Sequence, residues 1–289
     1  MRALERHNPF AIAIYYLTVV GIAMLCMHPI LLTLSLLGAI FSCALYARRT
    51  RHALFWGIFA LTALLNPLLS HNGATVLLVL GDKPLTLESL VWGTVCGAGI
   101  LAVLYWMTSL GAIMTEDRLL YLFGKLSPKI SLVLSMALRY IALFSEQAAK
   151  IKQTQRALGL YKDDNIIDRA RGELRIFSVL LSWALENGIV TANSMTARAY
   201  GTGRRTHFSI FRWRVRDGIL IALSLILGAA TAVPLALGAV DFTFYPTMHL
   251  QNGGIWSLIC YLSYGALVAL PILIETEDTV KWKYLRSGI

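Results

Sequence analysis

The side chain best set for chemistry in this sequence is an arginine. "SMTARAYGTGRRT" (Ser194–Thr206) places Arg198 between Ala197 and Ala199, after a mostly apolar run. A guanidinium is a planar fork of donors that stays charged and can grip a carboxylate bidentately or bind backbone carbonyls. Small neighbours would let such a helix end sink into a groove on another protein. The chemistry would then be recognition rather than catalysis. The competing reading is an arginine that snorkels to the lipid headgroups. A second stretch, "QTQRALG" (Gln153–Gly159), sets Arg156 just before Ala157 and Gly159, again a basic residue beside small ones.

Other candidates are sparse. Ser178, Ser182 and Glu186 recur every four residues and so share one helical stripe. Glu186 lies in apolar company, and a carboxylate there needs a partner or water. Arg139 is the candidate partner; the plainer alternative is that Glu186 faces water at the membrane edge. The sequence contains no GxxxxGK[ST] loop to cradle phosphates, no HExxH and no GxSxG. The histidines (His7, His28, His52, His71, His207 and His249) have no metal-ligand spacing. Cys26, Cys43, Cys96 and Cys260 lie in apolar runs without a CxxC pair and read as buried structural thiols.

Composition identifies the surroundings of these residues. Of 289 residues, 57% are hydrophobic and 15% charged, and the mean hydropathy is +0.63. Soluble domains are about 25% charged. The class is an all-α integral membrane protein. A net charge of +10 is then a matter of topology, since cytoplasmic loops carry the basic residues. Without basic-aromatic interleaving or a nucleic-acid fold motif, it does not imply a nucleic-acid partner.

A membrane helix needs roughly 20 apolar residues. Six candidate spans follow: Phe10–Met27, Pro29–Tyr46, Ala53–Leu69, Ser89–Met114, Gly218–Val240 with a kink at Pro234, and Gly254–Glu275. Residues 70–86 read as a loop, and Thr86 as the cap of the fourth span with Glu88 at the positive end of its dipole. Gly93 and Gly97 form a GxxxG, a mark of close helix packing, against another protein or, more simply, within this chain. The first run, preceded by Arg2 and Arg6, lacks a small-residue cleavage site and reads as an uncleaved anchor.

With the N-terminus inside, every Lys and Arg except Lys83 falls on the cytoplasmic side, including Arg48, Arg49, Arg51, Lys281, Lys283 and Arg286. Both termini are therefore expected in the cytoplasm. Three regions result: a four-helix membrane bundle at 1–114, a cytoplasmic coupling-helix region at 115–216, and C-terminal membrane helices with a tail at 217–289. Within the central region Leu126–Leu160 reads as a helix opened by Ser127 and Pro128 and stopped by Gly159. Asp163–Arg175 reads as a charged connection, and Ile176–Gly201 as a second helix ended by Gly201.

The chain resembles the transmembrane component T of energy-coupling factor (ECF) transporters, the CbiQ-like family. The resemblance rests on "NPLLSHNG" (Asn66–Gly73), "LTLESLVWG" (Leu85–Gly93), "LFGKLSPKISLVLSMALRYI" (Leu122–Ile141) and the paired cytoplasmic motifs. The family carries Ala-Arg-Gly or a close variant at the end of each of two coupling helices. Here the second is Ala197-Arg198-Ala199, and Ala157-Leu158-Gly159 stands at the first, where Arg156 is a possible substitute for the missing arginine. Ala142 is a further departure, where the family often has proline.

The resemblance implies a non-catalytic scaffold. It would join two cytosolic ATP-binding-cassette ATPases to a small substrate-binding membrane S component, for uptake of a vitamin or transition-metal ion. ATP and Mg2+ would be bound by the ATPases, and this chain would hold no cofactor. The alternative is a self-sufficient permease or channel, which would want ionisable residues or broken helices at the midplane of its spans.

Overall fold

The computed structural model describes residues 4–47, 52–69, 73–80, 83–160, 165–202, 211–245, 249–250 and 253–287. Arg2, Arg48, Arg49, Arg51, His71, His207 and residues 161–164 lie outside the described residues. The chain divides into two units, one comprising Met1–Thr115 with Phe211–Ile289, the other Glu116–Ile210.

The first unit holds α1 (Pro9–Leu25), α2 (Pro29–Tyr46), α3 (His52–Leu69), α4 (Leu87–Ile113), α8 (Val215–Ala236) and α9 (Ile255–Ser287). Prolines at the first helical positions start α1 and α2, where a missing N–H costs nothing. Asn8 caps α1 by accepting from the Phe10 N–H at 3.1 Å. Thr86 caps α4 as expected, accepting from Ser89 N. Within the stretch read as a loop, β1 (Val76–Leu80) and β2 (Lys83–Thr86) pair antiparallel. A smaller pair, β3 (Phe242–Thr243) and β4 (His249–Leu250), joins α8 to α9.

α4 packs on α1, α2 and α3, while α9 packs on α8 and α2. Their shared core is aromatic. Tyr15, Tyr16 and Trp106 meet edge to face with centroids 5.2–6.4 Å apart. Their polar atoms are satisfied inside the bundle: Tyr16 Oη is 2.8 Å from Ser109 Oγ, and Trp106 Nε1 donates to Ser35 Oγ at 3.2 Å. The GxxxG lies against α3 of the same chain. A Cβ on Gly93 would stand 2.9 Å from the Ala63 carbonyl oxygen, and one on Gly97 would stand 2.8 Å from Thr62 Oγ1. Cys26, Cys43 and Cys260 are buried free thiols, and Cys96 is half-buried.

The second unit holds α5 (Glu116–Leu126), α6 (Pro128–Ala157) and α7 (Ile166–Ala197). α7 begins at Ile166, so residues 166–175 of the stretch read as a charged connection are helix. Charge does not forbid helix: Arg169, Ala170, Arg171, Glu173 and Leu174 are good helix formers, Asp168 suits the first turn, and no proline intervenes.

Six of the described helices are long and apolar enough to cross a membrane: α2, α3, α4, α7, α8 and α9. The chain is a multi-pass membrane protein. The set differs from the six spans expected from sequence at two places. α1 has 17 residues and falls just short by length, while α7 gains enough length by starting early. α9 also continues to Ser287 rather than stopping at Glu275, and an i,i+4 pair, Glu277–Lys281, supports its polar last turns.

Candidate coupling site at two helix ends

α6 and α7 run antiparallel. Tyr140 Oη is 3.2 Å from Thr191 Oγ1, the Phe144 and Trp183 rings meet at 5.9 Å, and Lys152 Nζ donates to Glu173 Oε1 at 2.5 Å. Residue numbers rise along one helix as they fall along the other. The C-terminal ends, which carry the two candidate motifs, therefore point in opposite directions. Each lies about 20 Å along its helix from the Phe144–Trp183 contact.

The two ends have the same backbone. At the end of α6 the Leu158 N–H donates to the Thr154 carbonyl, Gly159 N to Arg156 O at 3.1 Å and Leu160 N to Gln155 O at 2.9 Å. Gly159 has φ +70°. At the end of α7, Arg198 N donates to Ser194 O, Ala199 N to Thr196 O at 3.0 Å and Tyr200 N to Met195 O at 3.0 Å. This is the Schellman arrangement, in which a left-handed residue after the cap lets two N–H groups satisfy the last carbonyls.

Each motif residue then has a place. Ala157 and Ala197 are the last helical residues, Leu158 and Arg198 the C-caps, and Gly159 and Ala199 the left-handed residues. The two triplets depart from Ala-Arg-Gly in complementary ways: the first keeps the glycine, the second keeps the arginine. Gly201 does not end α7, contrary to the expectation from sequence. The turn is made at Ala199, whose φ of +56° is the only positive value outside glycine among the described residues. A Cβ in that region costs about 1–2 kcal/mol.

Arg156, Ala157, Gly159, Ala197, Arg198 and Ala199 are all exposed. Arg198 makes no side-chain hydrogen bond or ion pair among the described residues, and a cation there suits the negative end of the helix dipole. Capping alone does not account for it, because Leu158 closes the same turn without a charge. Arg156 sits two residues before the cap, about 200° around the helix from Leu158, so it presents its guanidinium to a different side. Sequence reading missed the exposed apolar residues beside these turns. Leu158, Leu160 and Tyr200 are 67%, 52% and 48% exposed, and the signal was their position at or just past each cap.

Arg139 and Glu186 are not brought together. Both are exposed and no ion pair joins them. Tyr140 and Phe144 of α6 meet Trp183 and Thr191 of α7, and this facing turns Arg139 and Glu186 away from the interface. In the serine stripe, Ser182 Oγ donates to Ser178 O of its own helix at 3.2 Å. No group of three or more His, Cys, Asp or Glu side chains that could hold a metal ion occurs among the described residues.

The family described as cobalt transport protein, CbiQ, matches residues 5–210, a stretch that includes both helix ends. The chain belongs to the CbiQ family. Several relatives of this CbiQ chain carry the name energy-coupling factor transporter transmembrane protein EcfT. That of Lactobacillus helveticus is 32% identical over 101 residues, 34% of this chain and 36% of its own length. That of Listeria innocua is 28% identical over 191 residues, 61% and 70% of the two chains. That of Brevibacillus brevis is 33% identical over 137 residues, 44% and 51%. The match to the Lactobacillus relative thus spans little more than a third of that protein.

Proposed function

We propose that this chain is the transmembrane coupling component of an ECF-type ATP-binding-cassette importer. It would transmit movement of two cytosolic ATPases to a substrate-binding S component that takes up a vitamin or transition-metal ion. The observation that carries this reading is the pair of exposed, identically built helix ends facing opposite ways on α6 and α7, in a CbiQ chain. Two separated ends suit two ATPase subunits, one at each. ATP and Mg2+ would be held by those subunits, and this chain would have no catalytic role.

A self-sufficient permease finds less support. Among the described residues the buried Asp, Glu, His and Arg side chains, His28, Glu88, Arg118 and Asp217, all lie within the first few residues of a helix or at its cap. Both termini are proposed to be cytoplasmic. Support comes from the ion pair of Arg6 with Asp278, which brings the beginning of α1 and the last turns of α9 to one end of the first unit. Arg214, Arg216 and Lys281 belong to the same end.

The test is to purify the tagged chain from its own cells and identify what accompanies it. Two ATP-binding-cassette ATPases and a small membrane protein should co-purify, with ATP hydrolysis in the complex and none by the chain freed of ATPases. Substrate transport by the chain alone in liposomes would overturn the reading.

A further inference from the structure

The end of the first unit where α1 and α8 begin carries a cleft of about 450 Å3 that the coupling role leaves unused. Arg6, Arg214, Arg216 and Lys281 stand on its rim, and Leu220, Leu223, Leu270 and Ile274 make its floor. Three carboxylates also line it, and each is engaged. Asp217 is 1% exposed, accepts from Asn8 N and Arg214 N at 3.0 Å each and lies 2.9 Å from His7 Nδ1. Asp278 pairs with Arg6 at 3.4 Å, and Glu277 pairs with Lys281. Glu277 is also within electrostatic reach of Arg216, but no ion pair joins them.

Four fixed positive charges thus face three carboxylates, an excess of one. Arg214 and Arg216 are exposed and form no ion pair among the described residues. The floor is as telling as the rim. Leu223 lies two turns into α8 from Arg216, and Leu270 two turns back along α9 from Glu277, so the aliphatic wall extends about 10 Å below the charges. Trp213, 49% exposed with its ring 6.1 Å from that of Phe10, is the kind of side chain that settles at headgroup depth.

We propose that this cleft binds an anionic phospholipid. The phosphodiester lies between the Arg214 and Arg216 guanidiniums, which donate charge-assisted hydrogen bonds to its oxygens, and the acyl chains run over Leu223 and Leu270. A free phosphate or nucleotide would use the rim and leave the aliphatic floor uncovered.

The full chain in neutral detergent can be titrated with dioleoyl phosphatidylglycerol, dioleoyl phosphatidylcholine or inorganic phosphate and followed by native mass spectrometry. Phosphatidylglycerol should be retained, and phosphatidylcholine and phosphate should not. Arg214→Gln with Arg216→Gln should weaken phosphatidylglycerol binding about 25-fold, roughly fivefold per arginine. Arg214→Lys with Arg216→Lys should keep most of it, and Lys283→Gln, outside the cleft, should change nothing. If the double glutamine variant does not fold, Arg216→Gln alone should still show the fivefold loss. Equal retention of both lipids, or wild-type binding by the glutamine variants, overturns the proposal. Phosphate binding as tight as phosphatidylglycerol binding makes this a free-anion site and also overturns it.

Discussion

Leu158 and Arg198 hold the same place in the same motif: each is the C-cap of its helix, and each precedes a residue in the left-handed region. The backbone turn therefore does not depend on the arginine, and the guanidinium of Arg198 is available for a partner. Removing one member of a buried interfacial charge pair costs about 2–5 kcal/mol. Arg198→Ala should cut ATPase co-purification or uncouple hydrolysis from uptake while leaving membrane insertion intact, and Arg198→Lys should restore part of the loss. Arg156→Ala should be milder, since its side chain leaves the helix on another side. Leu158→Arg should be tolerated or strengthen ATPase binding. Wild-type uptake and co-purification by Arg198→Ala would reduce Arg198 to a surface charge.

Ala199 and Gly159 make opposite predictions at equivalent positions. Ala199→Gly should stabilise the end of α7 by about 1 kcal/mol, and Gly159→Ala should destabilise the end of α6 by a similar amount. Amide hydrogen exchange over the last turns of each helix measures both. Slower exchange after Gly159→Ala would contradict the left-handed assignment.

The helix pair α3–α4 has no room for a side chain at Gly93 or Gly97. Gly93→Val should destabilise by about 1–3 kcal/mol or more, because the added atoms meet the Ala63 carbonyl, which cannot rotate away. Gly111→Ala, in open space on the same helix, should be neutral or slightly stabilising. Thermal unfolding in detergent separates the two, and equal midpoints would refute the close packing.

His28, at the turn between α1 and α2, is 2% exposed, and burial lowers its pKa below the ordinary value. Folding therefore favours the neutral ring. The unfolded chain binds the proton more readily, so stability rises with pH across the interval between the two pKa values. The contribution is complete above about pH 6.5 and is lost as pH falls through the lower folded value. His28→Gln should flatten the stability profile between pH 7.5 and 5, read as unfolding midpoints in detergent. A profile as steep as that of the wild type would exclude His28 as its source.

The Arg6–Asp278 pair puts the start of α1 and the end of α9 on one side of the first unit. Single cysteines at residues 5 and 284 should be labelled only from the cytoplasmic side of the membrane, and one at residue 200 likewise. Labelling of any of the three from outside intact cells would reverse the topology.

Local physics made much of this protein legible in its sequence. Hydropathy is a sum over neighbours, so the apolar helices could be read directly, and so could the caps at Thr86 and Gly159, whose signals are a few residues long. Charges could mislead for the same reason. Residues 166–175 look like a loop when only polarity is weighed, yet arginine, alanine and glutamate are helix formers, and α6 supplies Lys152 as a partner for Glu173. Only the tertiary structure decided matters that depend on which face meets which. The crossing at Phe144–Trp183 separates the two motif ends and leaves Arg139 and Glu186 apart. The left-handed residue that closes α7 is Ala199 rather than Gly201, because the hydrogen-bond register of α7 selects the residue after Arg198, whatever its side chain. The first and last thirds of the chain share one apolar core, and at its end Asp217 and Asp278 meet His7 and Arg6, over 200 residues away. Such pairings are set by three-dimensional proximity, which no local window of sequence contains.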